Sequence, residues 1–180
     1  MRTLMRATIA LIDGLSKAGA VVAACLLLLL LVVLSLELVM RGVFSISISF
    51  AWEYAGYALG TMLFTGAAYT LRSGTHIRVS FLLNMKARGF GRALDFCGTL
   101  FGLACTIYLA YAMVLLTVKS GIGNSVSSLP SQTPMVIPQT LVAAGAVLLA
   151  LQMFARLLRF FLGQPPDVKL GTDTAFGIEG

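Results

Sequence analysis

Four long runs without a charged side chain dominate this sequence and leave it little choice of fold. They cover residues 18–36, 54–71, 96–118 and 120–155. A helix that crosses a bilayer needs about 20 apolar residues, with a working range of roughly 17–25. The first three runs fall in that range as they stand. The fourth opens with Gly, Ser, Asn and Pro, so its helix begins near Met135 and runs to about Ala155. In hydrocarbon every backbone polar group must be satisfied within the chain, and helices do this locally. The expected fold is therefore an all-α integral membrane protein with four transmembrane helices, at about 18–38, 54–71, 96–118 and 135–157. They form one membrane domain over 1–163. Residues 164–180 carry two prolines, three glycines and few large apolar side chains, the composition of a disordered tail. The first run is too long for the apolar part of a signal peptide, and no A-x-A-type site follows it; it reads as a retained helix.

Composition agrees. Of 180 residues, 58% are hydrophobic and 11% charged, and the mean hydropathy is +0.93. Soluble domains carry about a quarter charged residues. The net charge of +6 is explained by where the basic residues fall. Arg2, Arg6 and Lys17 precede the first run. Arg72, Arg78, Lys86, Arg88 and Arg92 lie between the second and third. Arg156, Arg159 and Lys169 follow the fourth. The other two connections hold only Arg41 and Lys119. Cytoplasmic loops collect Lys and Arg, so both termini and the middle connection are expected in the cytoplasm. This distribution needs no nucleic-acid partner.

Enzymatic readings find little to build on. A single histidine, His76, rules out a bis-histidine haem or a multi-histidine metal site within the chain. No G-x-S-x-G and no phosphate-cradling glycine loop occurs. Cys25, Cys97 and Cys105 lie inside apolar runs without C-x-x-C spacing and read as small buried apolar side chains. No catalytic residue, cofactor or metal site is expected.

Charges near a membrane are candidate functional groups, because a central one costs about 3 kcal/mol on insertion scales. Glu37 and Arg41 stand four apart at the end of the first helix, the spacing of a local ion pair. Trp52 and Glu53 open the second helix, as an interfacial aromatic and a carboxylate complementing the helix dipole, with Ser49 as a candidate cap. Gly56 with Gly60, and Gly98 with Gly102, have the four-residue spacing that lets membrane helices approach closely. Arg72, His76 and Arg78 form a basic turn suited to headgroups. Ser45, Ser47 and Ser49 alternate with Ile46, Ile48 and Phe50, which predicts an extended loop at the outer interface. Residues 1–16 mix Leu4, Met5, Ile9, Leu11 and Ile12 with Arg2 and Arg6, as an interfacial amphipathic lead-in would.

The stretch from Trp52-Glu53 through an apolar helix to Gly74-Thr75-His76-Ile77-Arg78-Val79 resembles the small permease subunit of TRAP (tripartite ATP-independent periplasmic) transporters, the DctQ-like family. Arg41 after the first helix, Pro138 opening the fourth and Gly145 beyond it match the same pattern, over residues 15–162. Ser80 stands where the family often has an acidic residue. The resemblance implies a small subunit in the bacterial inner membrane that buttresses a large multi-helix permease and works with a periplasmic substrate-binding protein. The importer would take up organic acids, with sodium coupling and substrate binding in the large subunit. Arg41, Trp52, Glu53, Arg72, His76 and Arg78 would then touch partners or lipid headgroups. The competing reading is a self-sufficient small proton-coupled antiporter using Glu37 or Glu53, which would need one of these carboxylates near mid-membrane.

Overall fold

A computed structural model describes residues 2–48, 50–73, 88–129 and 131–163, with backbone alone at 88–93. It contains four helices: α1 (Arg2–Phe44), α2 (Ala51–Arg72), α3 (Arg88–Ile122) and α4 (Val136–Phe161). There is no strand among the described residues, only an isolated bridge between Val126 and Pro134 in the α3–α4 connection. Successive helices run in opposite directions. The start of α1, the end of α2, the start of α3 and the end of α4 share one end of the bundle, here the terminal end. The α1–α2 and α3–α4 connections share the other, the loop end.

Three helices, α1, α2 and α4, all touch one another, and among the described elements α3 joins them through α4 alone. α1 packs along α2, α2 against α4, and α4 against α3, with a lesser contact between α1 and α4. Three helices (α1, Leu94–Ile122 of α3, and α4) are long and apolar enough to cross a membrane. α2 has 22 residues, about 33 Å at the helical rise, but its Tyr, Thr and Gly lower its hydropathy. Its place explains the composition. Ala51, Glu53, Thr61, Thr65, Ala68 and Leu71 are buried against neighbouring protein, so less of its surface has to suit lipid.

Small side chains set the close approaches. A Cβ on Gly145 would lie 2.8 Å from Phe64 Cβ and 3.1 Å from the Thr65 backbone nitrogen, so α2 and α4 meet there almost backbone to backbone. A Cβ on Gly19 would lie 2.9 Å from Leu148 Cδ2, which brings α1 into the same junction. Threonines within the helices satisfy their hydroxyls locally. Thr61, Thr65, Thr99, Thr106 and Thr117 each donate to the carbonyl four residues earlier, at 2.8–2.9 Å. α4 stops where Gly163 adopts φ +65°, a conformation that favours glycine.

Three sequence expectations are corrected. Residues 2–16 are not a separate interfacial segment; they continue α1, and Ile9 and Ile12 are buried against Ala155, Leu158 and Leu162 of α4. The three cysteines are exposed on helix surfaces rather than buried, because a bundle of four helices leaves most apolar side chains facing outward. α3 begins at Arg88, well before the uncharged run at 96.

Candidate functional site

Two polar clusters occupy opposite ends of the bundle, and the surfaces between them are apolar. At the loop end, Glu37 lies about two turns before the end of α1 and is buried. Its carboxylate accepts from Ser47 Oγ at 2.8 Å and from the Ile48 backbone N–H at 2.7 Å. Ser45 takes φ 55° where the helix ends, and the Glu37 carboxylate holds the returning chain. The alternating Ser/Ile stretch is thus an irregular turn pinned from within. Glu37 makes no ion pair with Arg41, which is exposed on the last turn. The i, i+4 pair expected from spacing is replaced by donors from the loop.

Glu53 is also buried. Its carboxylate accepts from Tyr57 Oη at 2.6 Å and from Ser131 Oγ at 2.5 Å. Ser131 and Thr133 hydroxyls are 2.8 Å apart, and Tyr54 Oη lies 3.1 Å from Thr133 Oγ1. The Ser127 N–H donates to Thr133 O at 2.9 Å, and the Met135 N–H to Ser125 O at 2.9 Å. The connection between α3 and α4 is therefore a compact loop closed on itself and latched to the head of α2. Phe50 caps α2 without a side-chain bond; Ser49 lies outside the described residues. Trp52 is 64% exposed on the outer flank of that turn.

At the terminal end, Asp13 of α1 gathers donors from two other helices. Arg159 Nη2 and Gln152 Nε2 of α4 both reach its Oδ1, the latter at 3.2 Å. Arg72 Nε of α2 lies 3.1 Å from the same oxygen, in ion-pair contact but not aligned as a hydrogen bond. Ser16 Oγ donates to Gln152 Oε1 at 3.0 Å, with both residues fully buried. A second knot ties α3 to α4. Arg156 donates from Nη2 to Asp95 Oδ1 at 2.8 Å and from Nε to Thr99 Oγ1 at 3.2 Å.

Arg72 thus reaches into protein rather than standing alone at the surface. His76 and Arg78 lie outside the described residues. Of the glycine pairs, Gly60 approaches Val142 and Gly102 approaches Met153, whereas Gly56 and Gly98 have nothing within 4 Å. Sequence reasoning missed Asp13, Asp95, Gln152, Arg156 and Arg159 as a set, having used Asp95, Arg156 and Arg159 only for helix bounds and orientation. The signal was present: Gln152, Arg156 and Arg159 repeat at i, i+4, i+7, one face of a helix.

Among the described residues, no charged side chain lies between Lys17 and Glu37 on α1 or between Glu53 and Arg72 on α2. Ser16 and Glu37 are 21 residues apart on α1, about 30 Å at the helical rise. The junction between them is Gly, Ala, Leu and back-bonded Thr. No three His, Cys, Asp or Glu side chains gather among the described residues. The broad surfaces are lateral. Phe101 and Tyr108 of α3 are 73% and 74% exposed. An apolar groove of about 420 Å³ runs between α1 and α2, lined by Ala23, Leu27, Leu63 and Gly66. Another of about 370 Å³ runs between α3 and α4, lined by Leu103, Ile107, Tyr111 and Phe154.

The family model for tripartite ATP-independent periplasmic transporters, DctQ component, matches residues 30–163. No curated protein and no solved structure matches the chain.

Proposed function

The chain belongs to the DctQ component family of TRAP transporters, and from that membership we propose that it is the small membrane subunit of a sodium-coupled importer of organic acids. It spans the bacterial inner membrane four times, with the terminal end of the bundle in the cytoplasm and the loop end facing the periplasm. It binds no substrate. Its work is to widen and stiffen the scaffold of a large multi-helix permease, which carries the substrate and sodium sites and takes its cargo from a periplasmic binding protein.

The observation that carries this reading is the division of the molecule into two polar ends and apolar flanks. A subunit whose buried polar groups are engaged at its two ends, by loop donors at one and between helices at the other, has mainly lateral surface to offer, and van der Waals packing drives association of membrane helices. The attachment of α3 through α4 alone increases that surface. The same geometry argues against the proton-antiporter reading: Glu37 and Glu53 sit at helix ends, engaged by loop donors, rather than at mid-membrane. The test is reconstitution. Uptake of organic acid driven by an inward sodium gradient should require the chain, the large permease and the binding protein together. It should survive Glu37→Gln and Glu53→Gln in reduced but measurable form. Proton-coupled transport by the chain alone, abolished by either substitution, would overturn the reading.

A further inference from the structure

Among the described residues, the Asp13 cluster sets two cations against one carboxylate. Two guanidiniums, Arg72 and Arg159, and the Gln152 amide all converge on one carboxylate oxygen. Asp95, the other described acid at this end, is engaged by Arg156. Of the seven acids in the chain, Glu37 and Glu53 are at the opposite end, and Asp167, Asp173 and Glu179 lie beyond the described residues. Among the described residues the cluster therefore holds one more cation than anion. Arg159 is only 4% exposed. Arg72 Nε is buried and lacks an aligned acceptor, although one side of the Arg72 and Asp13 side chains remains accessible, at 14% and 16%. A buried cation without a counter-charge is strongly disfavoured.

The geometry points to a binding site for a phosphate-bearing anion at the opening between Arg72 and Asp13, with Arg72 and Arg159 as its cationic floor. A guanidinium presents a planar fork that matches phosphate oxygens. The cluster lies in the last turns of α2 and α4, the depth at which inner-leaflet phosphates sit under the orientation proposed above, on which this inference rests. Basic pockets between helices on the cytoplasmic side are where anionic headgroups bind. The occupant is the phosphodiester of an anionic phospholipid such as phosphatidylglycerol; free phosphate shares the chemistry and is distinguished by the test.

The experiment is native mass spectrometry of the full purified chain with added phosphatidylglycerol, diacylglycerol or inorganic phosphate. One phosphatidylglycerol should stay bound, and diacylglycerol, which lacks the phosphate, should not. Arg72→Gln should weaken retention by about tenfold and Arg72→Lys by less. Asp13→Asn removes the internal counter-charge and should strengthen retention, whereas a purely structural cluster would only loosen. Displacement of the lipid by millimolar inorganic phosphate would keep the anion site and assign it to free phosphate. Equal retention of diacylglycerol, or retention unchanged in Arg72→Gln with the fold intact by circular dichroism, would overturn the site. Because the chain is tested alone, that failure is separable from any failure to find the large permease.

Discussion

Arg156 donates to Asp95 at 2.8 Å, and through that pair α3 is fixed to the only helix it touches among the described elements. The pair sits beside Arg156 Nε–Thr99 Oγ1 and under the contact of Phe96 with Phe160 and Phe161. Removing Asp95 breaks a largely buried ion pair across the α3–α4 seam, a loss of up to about 3 kcal/mol. Asp95→Ala should therefore lower the thermal midpoint well below wild type. Thr99→Val should cost about 1 kcal/mol. Calorimetry in a mild detergent checks both, and equal midpoints for Asp95→Ala and wild type would contradict the account of α3.

Gly145 should be intolerant where Gly56 is not. An added methyl at Gly145 meets Phe64 Cβ at 2.8 Å and the Thr65 backbone at 3.1 Å, and neither can swing away. Gly145→Ala should cost about 1–3 kcal/mol through overpacking. Gly56→Ala and Gly98→Ala meet nothing within 4 Å and should stay within about 0.5 kcal/mol of wild type. Parallel thermal denaturation of the three variants decides the matter.

The latch on Glu53 should govern the mobility of the α3–α4 connection. Ser131→Ala removes the 2.5 Å bond to the Glu53 carboxylate. A hydrogen bond to a charged group contributes about 1.5 kcal/mol or more, so the amides of Ser127 and Met135 should exchange roughly tenfold faster. Hydrogen exchange followed by mass spectrometry reads this directly. Unchanged protection would mean that the loop is held by its own bonds alone.

The proposed orientation predicts a labelling pattern. In a variant lacking Cys25, Cys97 and Cys105, a cysteine at Asn124 should react with a membrane-impermeant maleimide in intact spheroplasts. A cysteine at Thr3 should react only after permeabilisation. The opposite pattern would invert the topology.

Much of the fold was legible because the bilayer imposes a length. Uncharged runs of spanning size have few alternatives to a helix, and the turn formers ahead of Val136 mark where α4 starts. The polar ends were harder to read. Asp13 precedes its apolar run by a full turn, and Asp95 opens another; which arginine each meets depends on which helices are neighbours, and no spacing encodes that. The expected Glu37–Arg41 pair failed for a related reason: helical spacing permits it, but the returning loop offered Ser47 and Ile48 first. Gly145 outranks the i, i+4 glycine pairs because close approach depends on what lies opposite a residue, here Phe64 and Thr65.

The central claim is that this chain works as the lateral partner of a large permease. Its most direct test is affinity purification of the tagged chain from native membranes in mild detergent, with mass spectrometry of the recovered proteins. The account predicts stoichiometric recovery of one large multi-helix permease, lost when bulky polar residues replace Tyr108 and Phe101 on α3 or Leu28 and Leu31 on α1. Recovery of the chain alone or only as a homodimer, active by itself in proteoliposomes, would contradict it.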